Sequence, residues 1–179
     1  MKHEQIPNQD AVYTGRMVLR PLRISDEGLL TLYAGDERVA KSTSSIPHPL
    51  PPGTEEAFIK RALSDERSED VWAMDGSASG LGELLGIIGL KRLSPERSEI
   101  GYWVAPAFWN TGFATEAIRA LLEANPQKIK TVFASVFQSN TASAHVLTNL
   151  GFDYIGDAET FSVAQERTVQ TWTYLKTLS

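Results

Sequence analysis

Trp109-Asn110-Thr111-Gly112-Phe113-Ala114-Thr115-Glu116-Ala117 stands between a predicted strand and a run whose apolar residues recur every fourth position. Phe113, Ala117 and Leu121 form one such series, and Ala114, Ile118 and Leu122 another. The spacing predicts an amphipathic helix that starts at Phe113 and stops at Asn125-Pro126. Gly112 and Ala114 keep the turn into this helix small enough for a ligand to reach the backbone. A helix start also presents uncommitted N–H groups and about half a positive charge, which suits a phosphate or pyrophosphate. Taken alone, the same residues read more simply as a tight turn at Gly112 with Thr111 or Thr115 as the helix cap. The stretch is neither GxxxxGK[ST] nor GxGxxG, which disfavours ATP and NAD.

Working outward, residues 71–75, 84–93 and 99–104 read as three strands joined by turns at 76–82 and 94–97, an antiparallel meander. Upstream, a strand at 17–22 precedes a helix with Ser25 as N-cap and Leu29, Leu30, Leu32 and Tyr33 as its apolar side. A short helix follows Asp36, and another runs from Thr54 as N-cap through Ala57, Phe58, Ala62 and Leu63. Downstream come a buried-type strand at 131–136, a helix at 140–149 closed by Gly151, and strands at 152–156 and 168–175. Helices first, a meander next, then strand–helix–strand gives an α+β domain of three layers, α/β/α, around a mixed and largely antiparallel sheet. Residues 1–179 are expected to form a single domain with its core at about 14–177.

Composition sets outer bounds. The 179 residues are 42% hydrophobic and 22% charged, with a formal net charge of −5 and no cysteine. A chain of this size removes roughly 70% of its unfolded surface from water, so it needs no disulfide staple. Without cysteine there is no thiolate zinc site, iron–sulfur cluster or thiol nucleophile. His3, His48 and His145 share no ligand spacing, so no metal site is expected. The acidic balance argues against nucleic acid and an anionic membrane as partners. Residues 1–15 lack the apolar core of a signal peptide, and a cytoplasmic setting is expected.

Three motifs in order, Glu99-Ile100-Gly101-Tyr102-Trp103-Val104, then 109–117, then Asn140-Thr141-Ala142-Ser143 running to Leu150-Gly151-Phe152, resemble the GNAT superfamily of acetyl-CoA-dependent N-acetyltransferases. The likeness is strongest to the ribosomal-protein N-terminal acetyltransferase branch and spans about residues 14–175. The resemblance implies a sheet splayed between the fourth and fifth of the seven predicted strands, 99–104 and 131–136. It implies acetyl-CoA as cosubstrate, no metal, and a primary amine as acceptor. In the family's pyrophosphate loop, [QR]-x-x-G-x-[GA], Gly112 and Ala114 fill the small positions and Trp109 stands at the first. Asn110, Thr111, Gly112, Phe113, Ala114 and Thr115 would then hold the pyrophosphate through main-chain N–H groups. Pantetheine would pair with main chain at Trp103 and Val104 and touch Asn140.

The resemblance also assigns chemistry. Glu99 is the expected general base, although it reads equally as an exposed strand carboxylate or a partner for Arg92 or Arg97. Ser143 would sit near the cofactor sulfur and assist the departing thiolate; on the bare sequence, Asn140 is a helix N-cap and Ser143 a first-turn residue. Many members carry a tyrosine acid four residues after that serine, where this chain has Leu147. His48, in the Pro-rich loop, is expected to shape the acceptor pocket with Tyr102 and Trp103; a rigid exposed turn is the other reading of that loop. The acceptor would be a protein or peptide N-terminus, or else a small amine such as an amino acid, polyamine or antibiotic. A non-catalytic acyl-CoA-binding module on the same fold is the alternative from another class. A monomer or homodimer fits either.

Overall fold

The computed structural model describes residues 9–178. Eight strands form one sheet: β1 (Val12–Tyr13), β2 (Val18–Pro21), β3 (Glu69–Asp75), β4 (Gly86–Ser94), β5 (Arg97–Val104), β6 (Thr131–Phe137), β7 (Asp153–Ser162) and β8 (Arg167–Thr177). Their order in space is β1-β2-β3-β4-β5-β6-β8-β7. Every pairing is antiparallel except β5 with β6. Among the described residues there are also five α-helices, α1 (Glu27–Ala34), α2 (Glu37–Ala40), α3 (Thr54–Ala62), α4 (Phe113–Ala124) and α5 (Thr141–Asn149), and three short 3-10 turns.

The two faces of the sheet bury separate cores. One joins Ile100 and Val104 of β5 to Phe113, Ala117, Ile118 and Leu121 of α4 and to Ala144 and Leu147 of α5. The other joins Val71 and Ala73 of β3 to Leu30 of α1 and to Ile59 and Ala62 of α3, with Trp103 packed against it. Alternate residues of one strand face opposite sides, so β5 contributes to both cores. The three-layer α/β/α arrangement expected from the sequence is present.

Several local expectations needed correction. Ile24–Asp26 forms a single 3-10 turn, and α1 starts at Glu27 with Asp26 before it, so Ser25 is not its cap. Asp26 is instead buried and takes a bidentate contact from Arg20, whose Nε also reaches Asp75 at 2.7 Å. That charge trio fixes the turn more firmly than a serine cap would. Leu32 is exposed, and the buried face of α3 is Glu55, Ile59 and Ala62, not Ala57 and Leu63. Gly53, with φ +80°, caps α3 in place of Thr54. The two-residue strand Val12–Tyr13 is an addition to the strands expected from the sequence, so the splayed strands are the fifth and sixth.

The splay itself is visible in the register. β5 and β6 pair from Arg97↔Thr131 to Ile100↔Ala134 and no further, while β6 continues beside β8 to Phe137↔Thr171. From Gly101 onward the edge of β5 that faces β6 is free of strand partners.

Candidate active site

A cleft of about 1540 Å³ opens where β5 and β6 part. Its walls are Gly101–Val104 on one side and Ser135–Phe137 on the other, and α4 and α5 point their first turns at it. Lys41 and Ser44, which line it, are bonded to the β7–β8 turn: the N–H of Val163 donates to the Ser44 carbonyl at 3.0 Å, and Gln165 Nε2 donates to the Lys41 carbonyl at 3.0 Å. The β7–β8 turn is thereby tied to the loop after α2.

At one end lies the start of α4. Gly112 adopts φ +80° and Asn110 φ +60°, the left-handed region that folds the loop back toward the helix. Glu116 N–H donates to Gly112 C=O as the helix begins, while the N–H groups of Phe113, Ala114 and Thr115 have no intrahelical acceptor. Residues 109–115 all line the cleft. A clamp holds this turn from outside. Arg16 donates through Nε to Glu116 at 2.8 Å and through Nη2 to the Thr111 carbonyl at 3.0 Å, and its guanidinium lies 4.1 Å from the centre of the Phe113 ring. Thr14 Oγ1 donates to the same carboxylate at 2.6 Å. Burial would raise the Glu116 carboxyl, but the bonds from Thr14 and Arg16 outweigh it and hold the group below the usual carboxylate range.

Main-chain direction sorts β5. The N–H of Ala105 donates to the Leu85 carbonyl at 2.8 Å, and the Trp103 carbonyl points at β4, where a Cβ on Gly86 would collide with it. By antiparallel alternation, the polar groups of Tyr102 and Val104 face the cleft. Trp103 therefore cannot supply main-chain partners to a ligand there, contrary to expectation; Tyr102 takes that place beside Val104. The Val104 carbonyl already accepts from Trp109 Nε1 at 2.6 Å, so its N–H is the group presented to the cleft.

At the other end, on the α1–α3 face, lie carboxylates. Glu69 of β3, Lys91 of β4 and Glu99 of β5 stand in one cross-strand row. The next row on that face contains Gly89 and Gly101, which leave a floor without side chains. The Glu69 carboxylate folds over Gly89, and a Cβ on Gly101 would meet nothing within 4 Å. Burial pushes the Glu69 carboxyl upward and the charge of Glu99 adds to this, against Lys91. Glu55 of α3 lines the same space and is also raised by burial, against Arg61. Glu99 is not tied up by its neighbours, since Arg92 donates to the carbonyls of Pro95 and Gln127.

Asn140 and Ser143 occupy the first turn of α5, where the Asn140 side chain accepts from Ser143 N–H at 3.2 Å. Both line the cleft. Of the expected acceptor residues, Tyr102 and Trp103 line it and His48 does not: His48 is exposed, and Ile46 and Pro47 are the residues its loop sends inward. His145 is exposed at the rim, and His3 falls outside the described residues. No group of three or more metal-ligating side chains occurs among the described residues. Glu55, Glu69 and the Arg16 clamp were not foreseen. Starting β3 at Glu69 rather than Val71 would have put Glu69 in phase with Val71 and Ala73, on the face that β5 shares with Glu99.

The acetyltransferase (GNAT) domain family matches residues 16–153. The uncharacterized N-acetyltransferase p20 of Bacillus licheniformis is 24% identical over 176 residues, 92% of this chain and 94% of that one. Among solved structures, RimL, a ribosomal L7/L12 α-N-protein acetyltransferase in complex with CoA, superposes with a TM-score of 0.79 at 16% identity, covering 94% of this chain and 98% of its own. The microcin C7 self-immunity acetyltransferase MccE, in complex with acetyl-CoA and AMP, gives 0.78 at 16% over 91% and 93%. The spermidine N-acetyltransferase of Vibrio cholerae, in complex with CoA and spermine, gives 0.73 at 17% over 89% and 95%. These structures share the fold.

Proposed function

The chain belongs to the GNAT acetyltransferase family, and from that premise we propose that it moves an acetyl group from acetyl-CoA directly to a primary amine, the N-terminus of a protein or peptide. It is an acyltransferase. The observation that carries the finer reading is the two-ended cleft, with helix N–H groups at one end and carboxylates at the other. An anion and an amine are the two ligands such ends complement.

The residues fit the cosubstrate. The first turn of α4 supplies N–H donors to the pyrophosphate without a lysine or arginine, which suits a chain with a net charge of −5. The free edge of β5 offers the Tyr102 main chain to the pantetheine amides and leaves the Val104 N–H for the thioester. Acetyl-CoA supplies the activated thioester. Val104 N–H is directed at the thioester carbonyl and stabilises the oxyanion that forms as the amine attacks. Glu99 takes the proton from the incoming ammonium, aided by the field of Glu69. The N–C bond forms, the C–S bond breaks, the electron pair leaves on sulfur toward Ser143, and the second proton of the nitrogen passes to solvent as the amide forms. With no cysteine in the chain, no acetyl-cysteine intermediate intervenes.

An α-amine has a pKa of ~7.7–8.0, so roughly a tenth of it is neutral at pH 7, whereas lysine at ~10.4 is far less so. A single unshielded carboxylate is therefore adequate for an N-terminus. The acidic end also suits a small cationic amine, and the solved relatives that act on ribosomal protein and on spermidine mark those two classes. Incubation with acetyl-CoA and a mixed panel of peptides and amines, read by mass spectrometry, separates them. The expected product is a peptide heavier by one acetyl group at its N-terminus. Absence of both CoA release and product across the panel would overturn the reading.

A further inference from the structure

Position 147, four residues beyond Ser143, holds a leucine that is fully buried in the α4–α5 core. No hydroxyl reaches the cleft from there. One does from the opposite wall: the Tyr102 Oη is shut off from solvent and has no hydrogen-bond partner of ordinary geometry, and Ser143 stands beside it. Tyr102 projects to the α4–α5 face of β5, while its own main chain faces the gap between β5 and β6. A buried hydroxyl left unpaired is unfavourable, and native exceptions call for an explanation. The explanation here is an acceptor that arrives with the ligand.

We propose that the Tyr102 hydroxyl, with Ser143 across the cleft, donates a hydrogen bond to the sulfur of CoA as the thiolate departs, doing from β5 what position 147 cannot do from α5. The inference rests on the acetyl-CoA reading above. As the C–S bond breaks, the electron pair moves to sulfur and the phenol O–H is directed at it. The proton remains on oxygen. Burial pushes the phenol's pKa upward and Ser143 lowers it by less, and no charged group contributes. A phenol is ordinarily a weaker acid than a thiol and burial widens that gap, so the proton stays on oxygen, and the thiolate is stabilised in place and takes its proton from solvent on release.

Tyr102→Phe removes the O–H and little else. The expected result is a fall in kcat on the order of 100-fold, the low end for deleting one donor aimed at developing charge, with the KM for acetyl-CoA unchanged. Thermal melting of the variant should be no lower than that of the parent, because the hydroxyl has no partner in the free protein. The decisive measurement is the thiolate absorbance of bound CoA during a pH titration: the parent protein should lower the thiol pKa, Tyr102→Phe should restore it, and Ser143→Ala should restore it in part. CoA that binds with the same thiol titration in parent and Tyr102→Phe overturns this inference alone. A lower melting temperature with unchanged kcat also overturns it, by showing the hydroxyl engaged in the fold. Failure of the parent protein to bind CoA overturns the proposed function along with it.

Discussion

The two ends of the cleft are built on different plans. The α4 end is made of backbone: N–H groups of three consecutive residues, shaped by two left-handed residues at Asn110 and Gly112 and braced by Arg16 and Glu116. The carboxylate end is made of side chains that line the cleft from three separate elements, Glu55 on α3, Glu69 on β3 and Glu99 on β5, with Gly89 and Gly101 between them leaving a floor without side chains. A backbone site binds a ligand that never varies and tolerates most side-chain changes. A side-chain site is retuned by single substitutions, so under the proposed function this is the end that would set acceptor choice.

Substitutions that fall on one end only probe that contrast. The largest effect is expected from Gly101→Val. The added side chain projects into open space beside Glu99 and Trp103, so the fold should be unharmed. The amine would be displaced by an ångström or more, which costs about 100-fold in kcat/KM. CoA affinity, measured by calorimetry, should stay the same; an equal loss at both ends would break the comparison.

Glu99→Gln comes next and identifies the amine. If the base only removes a proton, the variant is limited by the neutral fraction, so an α-amine acceptor loses about tenfold at pH 7 and regains most of it by pH 9. A lysine-type amine would instead show activity climbing by roughly 100-fold over the same range. Initial rates across that range decide it.

Arg16→Ala addresses the backbone end. Removing the bonds to Glu116 and Thr111 should destabilise the protein by about 1–2 kcal/mol, read by urea unfolding, and weaken CoA binding without changing acceptor preference. The pH dependence has a definite sign. The Glu116 carboxyl lies below its ordinary range when folded, so its contribution is fully present above the unfolded carboxylate pKa of ~4.3 and is lost as pH falls through the lower folded value. The parent should therefore lose stability in acid more steeply than Arg16→Ala. The smallest effect belongs to Glu69→Gln. It should raise the KM of a cationic amine a few-fold and leave acetyl-CoA kinetics alone, since Glu69 acts through its field and not by contact with the cosubstrate.

How far each end could be read in advance follows from how it is built. Residues 109–117 carry their own instructions: a strand, a glycine and an apolar series in fourths give a helix N-terminus whatever surrounds it, and α4 starts at Phe113 as the spacing requires. Asn140 capping Ser143 was equally local. Trp103 as a main-chain partner was a mistake of phase, because hydrogen-bond direction alternates along a strand and one residue's shift reverses it. His48 was misplaced because nothing local dictates which residues of a proline-rich loop turn inward. Glu69 was invisible for a different reason: its role depends on standing two strands away from Glu99 in one row.

Sequence alone determined the layer architecture, the helix start that faces the cleft, and that no cysteine is present to carry an acetyl group, because periodicity, helix ends and composition are properties of the chain itself. Tertiary structure alone decided where β5 and β6 separate, which of their polar groups face the gap, and that the Tyr102 hydroxyl lies opposite Ser143. Those facts depend on strand register and on the burial of Leu147, which bring together residues 41 positions apart and which no local pattern encodes.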